Sequence, residues 1–253
     1  MVTRDDALFR YALRLGDDSL VLGQRLGEWC GKAPALEIDL ALANLGLDLI
    51  GQATFLLGYA GEVEGKGRDA DRLAFHRDVM DFSNCLLVEQ PNGDFARTIA
   101  RQFLFSAWRA LLFGDLAASA DPTLAAVAKK AVKETAYHLR FSGEWMARLG
   151  DGTPESRERL IDGLDWCWRF VDELFEADEV SEALAAARIA PAPAELRARF
   201  DATVDAVLAE AGVERPAPRR AVVGGRAGRH SEHLGHLLAE MQFLPRAYPE
   251  ARW

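Results

Sequence analysis

Histidine and carboxylate side chains are the groups of this 253-residue chain that could hold a metal. In a four-helix bundle, two irons are typically bound by a Glu from each of two helices and a Glu-x-x-His pair from each of the other two. This spacing matters because residues three apart lie on one face of a helix. The chain has five histidines, none with a Glu three residues before it: His76, His138, His230, His233 and His236. The pattern therefore predicts that a di-iron cage would be incomplete.

Two weaker polar patterns leave an alternative open. His138 follows Glu134 by four residues, which is compatible with a shared ligand but is more typical of a helix-surface contact. Asn44, Asp48 and Gln52 form a ridge at four-residue steps along an otherwise apolar helix. Such a ridge faces water by default, or it lines a polar slot inside a bundle. A metal site that uses Asp48, Glu134, His138 and a carboxylate from another helix is the corresponding alternative.

A second group of histidines lies near the carboxyl terminus. His233 and His236 could share a helix face and bind zinc with Glu232 or Glu240. No cysteine is nearby to supply a thiolate. The pattern favours a role in capping, packing or a contact between subunits.

Residues 214–229 form an irregular basic segment that precedes a predicted C-terminal helix over 231–244. Prolines and glycines interrupt regular structure there, and the glycine run lacks the preceding strand and the spacing of a nucleotide-binding loop. Guanidinium groups bind carboxylate and phosphate well, so the segment is a candidate binding surface for an acidic partner or a phosphate-bearing ligand. Its candidate binding residues, with two adjoining histidines, are Arg215, Arg219, Arg220, Arg226, Arg229, His230 and His233.

Two tryptophans, Trp166 and Trp168, flank Cys167 in a predicted helix. Successive residues of a helix point about 100° apart, so both rings cannot easily face one core. One of the two is therefore a candidate anchor for a partner surface.

The overall composition narrows the classes of function. There are 30 Lys and Arg against 39 Asp and Glu, a formal net charge of −9, which argues against nucleic acid or an anionic membrane as the main partner. Three widely separated cysteines suit a reducing compartment. The amino terminus lacks the pattern of a signal peptide. We expect a cytoplasmic protein.

Apolar residues recur at three- and four-residue spacing, which predicts an all-α fold. We expect one domain over 1–253, an up-and-down bundle with additional helices. The first predicted helix ends near residue 15, because Gly16 to Ser19 resemble a break and a cap. A central helix surrounded by others is expected near 35–61. The predicted helices cover 5–15, 19–31, 35–61, 73–82, 94–118, 122–149, 154–177, 194–211 and 231–244, the last ending before Pro245.

Several stretches resemble one known family. Residues 15–31 read LGDDSLVLGQRLGEWCG, and residues 37–53 read EIDLALANLGLDLIGQA. Blocks at 87–93, 137–142 and 233–242 agree, so the likeness spans nearly the whole chain. The chain resembles the PaaC component of the phenylacetyl-CoA 1,2-epoxidase, a ring-hydroxylating monooxygenase complex.

The resemblance implies a ferritin-like bundle within a bacterial multicomponent monooxygenase of aerobic phenylacetate breakdown. In that family a related catalytic subunit holds a carboxylate-bridged di-iron centre and epoxidises the ring of phenylacetyl-CoA. Electrons come from a reductase with FAD and iron–sulfur cofactors. The PaaC component is the non-catalytic relative.

The resemblance also implies which positions correspond to metal ligands. Against the two Glu-x-x-His motifs of the catalytic subunit, the matching pairs are Leu49 with Gln52 and Thr135 with His138. Of these four positions, only His138 has the same residue type as the metal ligand in the catalytic subunit. Shifting the alignment to Asp48 would restore an acid but not the histidine three residues later. We therefore expect no catalytic residue and no metal or other cofactor in this chain.

The leading expectation is a structural subunit that binds the catalytic di-iron subunit and other subunits of the complex. One alternative is the di-metal oxygenase described above. Another is a module in which residues 215–229 hold the phosphates of coenzyme A, so that this chain contacts phenylacetyl-CoA at a junction between subunits.

Overall fold

The computed structural model describes residues 2–251, and within that range all regular structure is helical. The all-α prediction is confirmed. The chain divides into two compact units, residues 1–91 with 224–253 (unit 1) and residues 92–223 (unit 2). The single domain expected over 1–253 stays a prediction, and residues 1, 252 and 253 lie outside the described part.

Unit 1 is built on two long helices, α1 (Arg4–Gly27) and α2 (Leu36–Glu64). They run antiparallel, since Gly16 of α1 meets Leu57 while Gly23 meets Gly46 further back along α2. A Cβ on Gly23 would lie only 3.3 Å from the Gly46 carbonyl oxygen. The absence of side chains at these crossings lets the two backbones approach closely.

The predicted break within the first helix is wrong. Residues Gly16 to Ser19 lie in the middle of α1, and all four are buried. Glycine and small polar residues are typical of helix ends because their side chains can cap free backbone groups. Here Gly16 is needed for the contact with Leu57. Asp17 and Asp18 pair with arginines elsewhere in unit 1, and the Ser19 hydroxyl donates to the Leu15 carbonyl of the same helix.

The prediction that α2 is surrounded on every side is also wrong. Leu36, Leu40, Leu47 and Phe55 of α2 are between 50% and 71% exposed, whereas Leu42, Leu45 and Leu49 are buried. α2 is long and apolar enough to cross a membrane, with 44% of its most apolar stretch buried. Core helices of soluble proteins meet the same criterion, and one face of α2 packs on α1.

Shorter elements complete unit 1. They are α3 (Ala70–Phe75), a 3-10 turn (Val79–Asp81) and α4 (Leu86–Glu89), followed after unit 2 by a second 3-10 turn (Gly225–Ala227), α10 (Glu232–Met241) and α11 (Phe243–Ala247). The predicted helix over 231–244 is thus two helices, and Pro245 lies inside α11 instead of ending it. Residues 214–229 are irregular, as the sequence predicted, except for the 3-10 turn Gly225–Ala227.

Unit 2 is a helical group centred on α5 (Phe95–Leu116), which packs against α6 (Pro122–Gly150), α7 (Pro154–Trp168) and α9 (Pro193–Ala211). Asp121 caps α6, accepting the Leu124 N–H over 2.9 Å, as the Asp-Pro entry predicts. The predicted helix over 154–177 ends at Trp168, and a 3-10 turn (Asp172–Phe175) and α8 (Glu179–Ala186) follow.

Candidate functional site

The positions that the resemblance matches to metal ligands are all buried. Leu49 and Gln52 lie one turn apart on α2 of unit 1. Thr135 and His138 are spaced in the same way on α6 of unit 2, where the Thr135 hydroxyl donates to the carbonyl of Ala131 over 3.1 Å. Leu49 has no donor atom, and neither pair includes a carboxylate. This donor set does not fit a carboxylate-bridged di-iron centre, which requires hard oxygen ligands and compensating charge.

The polar row formed by Asn44, Asp48 and Gln52 on α2 is neither wholly exposed to solvent nor wholly buried. Asn44 is exposed, Asp48 is intermediate and Gln52 is buried. Each four-residue step turns the side-chain direction by about 40°, so this polar row passes from the surface towards the interior along the helix. Among residues 2–251, no group of three or more His, Cys, Asp and Glu side chains is arranged to hold a metal ion. The zinc interpretation of His233 and His236 therefore lacks a ligand group.

The basic segment is shared between the two units, and several of its arginines pair with acids of the same chain. Arg215 lies 2.9 Å from Oδ1 of Asp201 and also pairs with Asp205. Arg219 lies 2.7 Å from Asp165. Arg220 and Arg229 are exposed. A role of these residues in binding a partner or coenzyme A stays a prediction.

Trp166 and Trp168 are both half-buried, with Cys167 between them facing the core. The centre of the Trp166 ring lies 4.8 Å from the guanidinium group of Arg97 and 4.5 Å from that of Arg169. Arg215 covers Trp168 at 5.2 Å. Cation–π contacts with the chain's own arginines thus occupy both rings, and the role of either ring as a partner anchor stays a prediction.

Sequence reasoning missed a cluster of buried ion pairs in unit 1. Asp17 of α1 is fully buried and pairs with Arg77, whose Nη1 lies 3.0 Å from Oδ2. The backbone N–H of Ser83 donates to the same oxygen over 2.9 Å. The Arg77 guanidinium also stacks 4.2 Å from the centre of the Phe82 ring. All the polar atoms of this carboxylate therefore have partners inside unit 1.

Asp18 is fully buried beside it and pairs with Arg226 of the basic segment. Nη1 and Nη2 of Arg226 each lie 2.9 Å from a different carboxylate oxygen, which is the bidentate geometry of strong Arg–carboxylate pairs. The same carboxylate accepts the N–H of Cys85 over 2.8 Å, and Arg226 also donates to the Ser83 carbonyl. Arg226 thus ties residues 224–253 to the middle of α1.

Glu89 forms the third buried pair, with His230. Nδ1 of His230 lies 2.7 Å from Oε2 of Glu89, and Nε2 lies 2.9 Å from the Phe82 carbonyl oxygen. The other Glu89 oxygen accepts the N–H of Ser231 over 2.6 Å. The Glu89 carbonyl accepts two hydrogen bonds from Arg25. Because both ring nitrogens of His230 face acceptors, the doubly protonated imidazolium fits this position.

The environment of His230 acts on its pKa in two opposing ways. Burial lowers the pKa of the imidazole, because it disfavours the charged form. Hydrogen bonds to Glu89 and to the Phe82 carbonyl, with the negative charges of Glu89 and Asp17, outweigh burial, so that the pKa of His230 is raised above 6.5. The neighbours of His230 within unit 1 thus favour its cationic form.

We predict that Asp18→Asn strongly destabilises the chain. The substitution leaves the Arg226 guanidinium without its counter-charge at a carboxylate that is 0% exposed, and breaking a buried pair costs about 3–5 kcal/mol. The matched control is Asp115→Asn, which breaks the exposed pair with Arg199 and should cost no more than about 1 kcal/mol. Urea unfolding measures both. Equal losses in the two variants would contradict a structural role for the Asp18–Arg226 pair.

The raised pKa of His230 predicts a pH-dependent stability. A group with a raised folded-state pKa contributes stability fully below its unfolded pKa of about 6.5 and loses that contribution as the pH rises through the folded value. The melting temperature of the wild-type chain should therefore fall more between pH 6 and pH 9 than that of His230→Gln. His236→Gln, at an exposed position, should follow the wild type. A His230→Gln profile parallel to the wild type would refute the linkage.

Comparison with known proteins places the chain in a family. It matches the family described as phenylacetic acid catabolic protein over residues 2–253. It is also 55% identical over 246 residues to a protein of Escherichia coli (strain K12) that is named as the C component of 1,2-phenylacetyl-CoA epoxidase. That match covers 97% of this chain and 99% of the relative. The chain, with its all-α fold, therefore belongs to the phenylacetic acid catabolic protein family.

Proposed function

We propose that this chain is a non-catalytic structural subunit of a multicomponent phenylacetyl-CoA 1,2-epoxidase. The observation that carries this proposal is 55% identity along nearly the full length of both chains to a protein named as the C component of that enzyme. A match of this extent leaves no large part of the relative without a counterpart here. The proposed place of action is the cytoplasm, in aerobic phenylacetate degradation.

The donor set supports a role without chemistry of its own. Leu49 and Thr135 stand where the catalytic subunit is expected to have carboxylates, so two irons would lack charge compensation in a buried site. In the proposed complex, the di-iron centre belongs to the catalytic partner. FAD and iron–sulfur cofactors belong to the reductase.

A physical reason exists for a partner without a metal site. A catalytic bundle must place charged ligands in its interior, where they add little to apolar packing. A second bundle can supply a large apolar surface that holds the first one rigid. The long helix α2, with Leu36, Leu40, Leu47 and Phe55 exposed, offers apolar surface of this kind.

A coenzyme A-binding role has less support. Arg215, Arg219 and Arg226 pair with carboxylates of their own chain, so a phosphate would have to displace those acids. Affinity of the isolated chain for coenzyme A would favour that alternative.

Reconstitution with separately expressed subunits tests the proposal. We expect the catalytic subunit to be poorly soluble or inactive alone, and this chain to restore oxygen-dependent product formation through an interface above about 2,000 Å². Asp48→Asn, Glu134→Gln and His138→Gln remove the donors of the alternative metal site. Each should leave turnover per assembled complex within about twofold of wild type, because none then takes part in chemistry.

Two results would overturn the proposal. Full activity from the catalytic subunit and reductase without this chain would exclude a structural role. A 100-fold or larger loss of turnover in a correctly assembled His138→Gln complex would indicate chemistry in this chain.

A further inference from the structure

The exposed apolar face of α2 is unusual for a helix that packs on its neighbour along the opposite side. Leu36 is 71% exposed, Leu40 56%, Leu47 69% and Phe55 50%. We define these four residues as the α2 ridge. They extend over 19 residue steps, or about 29 Å at 1.5 Å per residue. Leu36, Leu40 and Leu47 follow one line of the helix, and Phe55 lies about 80° round from that line, beside the acidic residues. Large apolar side chains exposed together on one helix indicate an interaction surface.

The large side chains of the ridge lie beside two glycines of the same helix. At 100° per residue, Leu36, Leu40 and Leu47 point within about 20° of one line along α2. Gly51 and Gly58 lie close to the same line, and a Cβ at either would meet no atom within 4 Å. The side chains form knobs and the glycines leave gaps, so a partner helix could pack its own ridge against this one.

The charges beside the ridge select the kind of partner. α2 contains no Lys or Arg, and Glu37, Asp48 and Glu62 follow one flank of the ridge, about 60–100° from its centre line. An antiparallel second copy would bring two such acidic flanks together and could offer no basic residue from α2. An anionic membrane would be repelled in the same way. A helix with Lys or Arg beside an apolar ridge is complementary.

We propose that the α2 ridge is the docking surface for an apolar, basic-flanked helix of the catalytic subunit of the epoxidase. The proposal rests on the proposed function, because it takes the occupant from the same complex. It places the contact on α2, which belongs to unit 1, whereas Trp166 and Trp168 belong to unit 2.

The test compares charged substitutions on the ridge with a matched one elsewhere. Leu40→Glu and Leu47→Glu each place an acid in the proposed contact, and each should weaken the Kd for the catalytic subunit by roughly 30-fold or more. Ile161→Glu on α7, where the native side chain is 44% exposed, should change the Kd less than threefold. Thermal unfolding of the isolated variants verifies that each is folded, since the altered side chains lie at the surface.

The outcomes separate this proposal from the proposed function. Loss of binding in the ridge variants alone, with wild-type affinity that weakens as salt rises, supports the ridge as the docking surface. Wild-type affinity in the Leu40→Glu, Leu47→Glu double variant overturns the docking surface but leaves the structural role intact. Failure of the wild-type chain to bind the catalytic subunit overturns the proposed function itself.

Two further measurements test the other occupants. A wild-type dimer in light scattering that Leu47→Glu dissociates would assign the ridge to a second copy and overturn the proposal. Co-sedimentation of the wild-type chain, but not the double variant, with phosphatidylcholine–phosphatidylglycerol vesicles would assign it to a membrane and would also overturn it.

Discussion

Burial of charge in the middle of α1 is the constraint on which unit 1 depends. Two adjacent carboxylates, Asp17 and Asp18, are removed entirely from water, which is unfavourable unless each meets a well-placed cation and further hydrogen-bond donors. Those cations come from distant parts of the chain, Arg77 and Arg226. The carboxyl-terminal segment is therefore part of the same folded unit as the first helix, although 208 residues separate Asp18 from Arg226.

Prediction from the sequence succeeded only in part, and the buried cluster shows where it failed. Apolar periodicity predicted an all-α chain and most of the long helices, because periodicity reflects which face of a helix is buried. Gly16 to Ser19 resembled a helix end, since local preference cannot distinguish a cap from polar residues whose partners are far away in sequence. For the same reason, sequence alone made Arg226 and His230 candidates for binding an acidic partner or a phosphate-bearing ligand. Their acids, Asp18 and Glu89, were already present in the chain.

The face of α2 shows a different limit. The apolar residues of α2 predicted a central helix surrounded by others, but three leucines and a phenylalanine lie on the surface. Composition alone cannot separate a helix buried in its own chain from one that completes its burial in an assembly. The candidate ligand positions, by contrast, could be examined from sequence, because the chemistry of Leu49 and Thr135 is independent of their surroundings. That these positions are buried could be learned only from the structure.

The buried carboxylates of Asp17, Asp18 and Glu89 pair with cations of the same chain, whereas four large apolar side chains of α2 are exposed. The most direct test is the iron content of the purified complex and of its separated subunits after loading with ferrous iron. A structural role predicts two irons for each pair of catalytic subunit and this chain, all of them with the catalytic subunit. Four irons per pair, or two retained by this chain after separation, would contradict it.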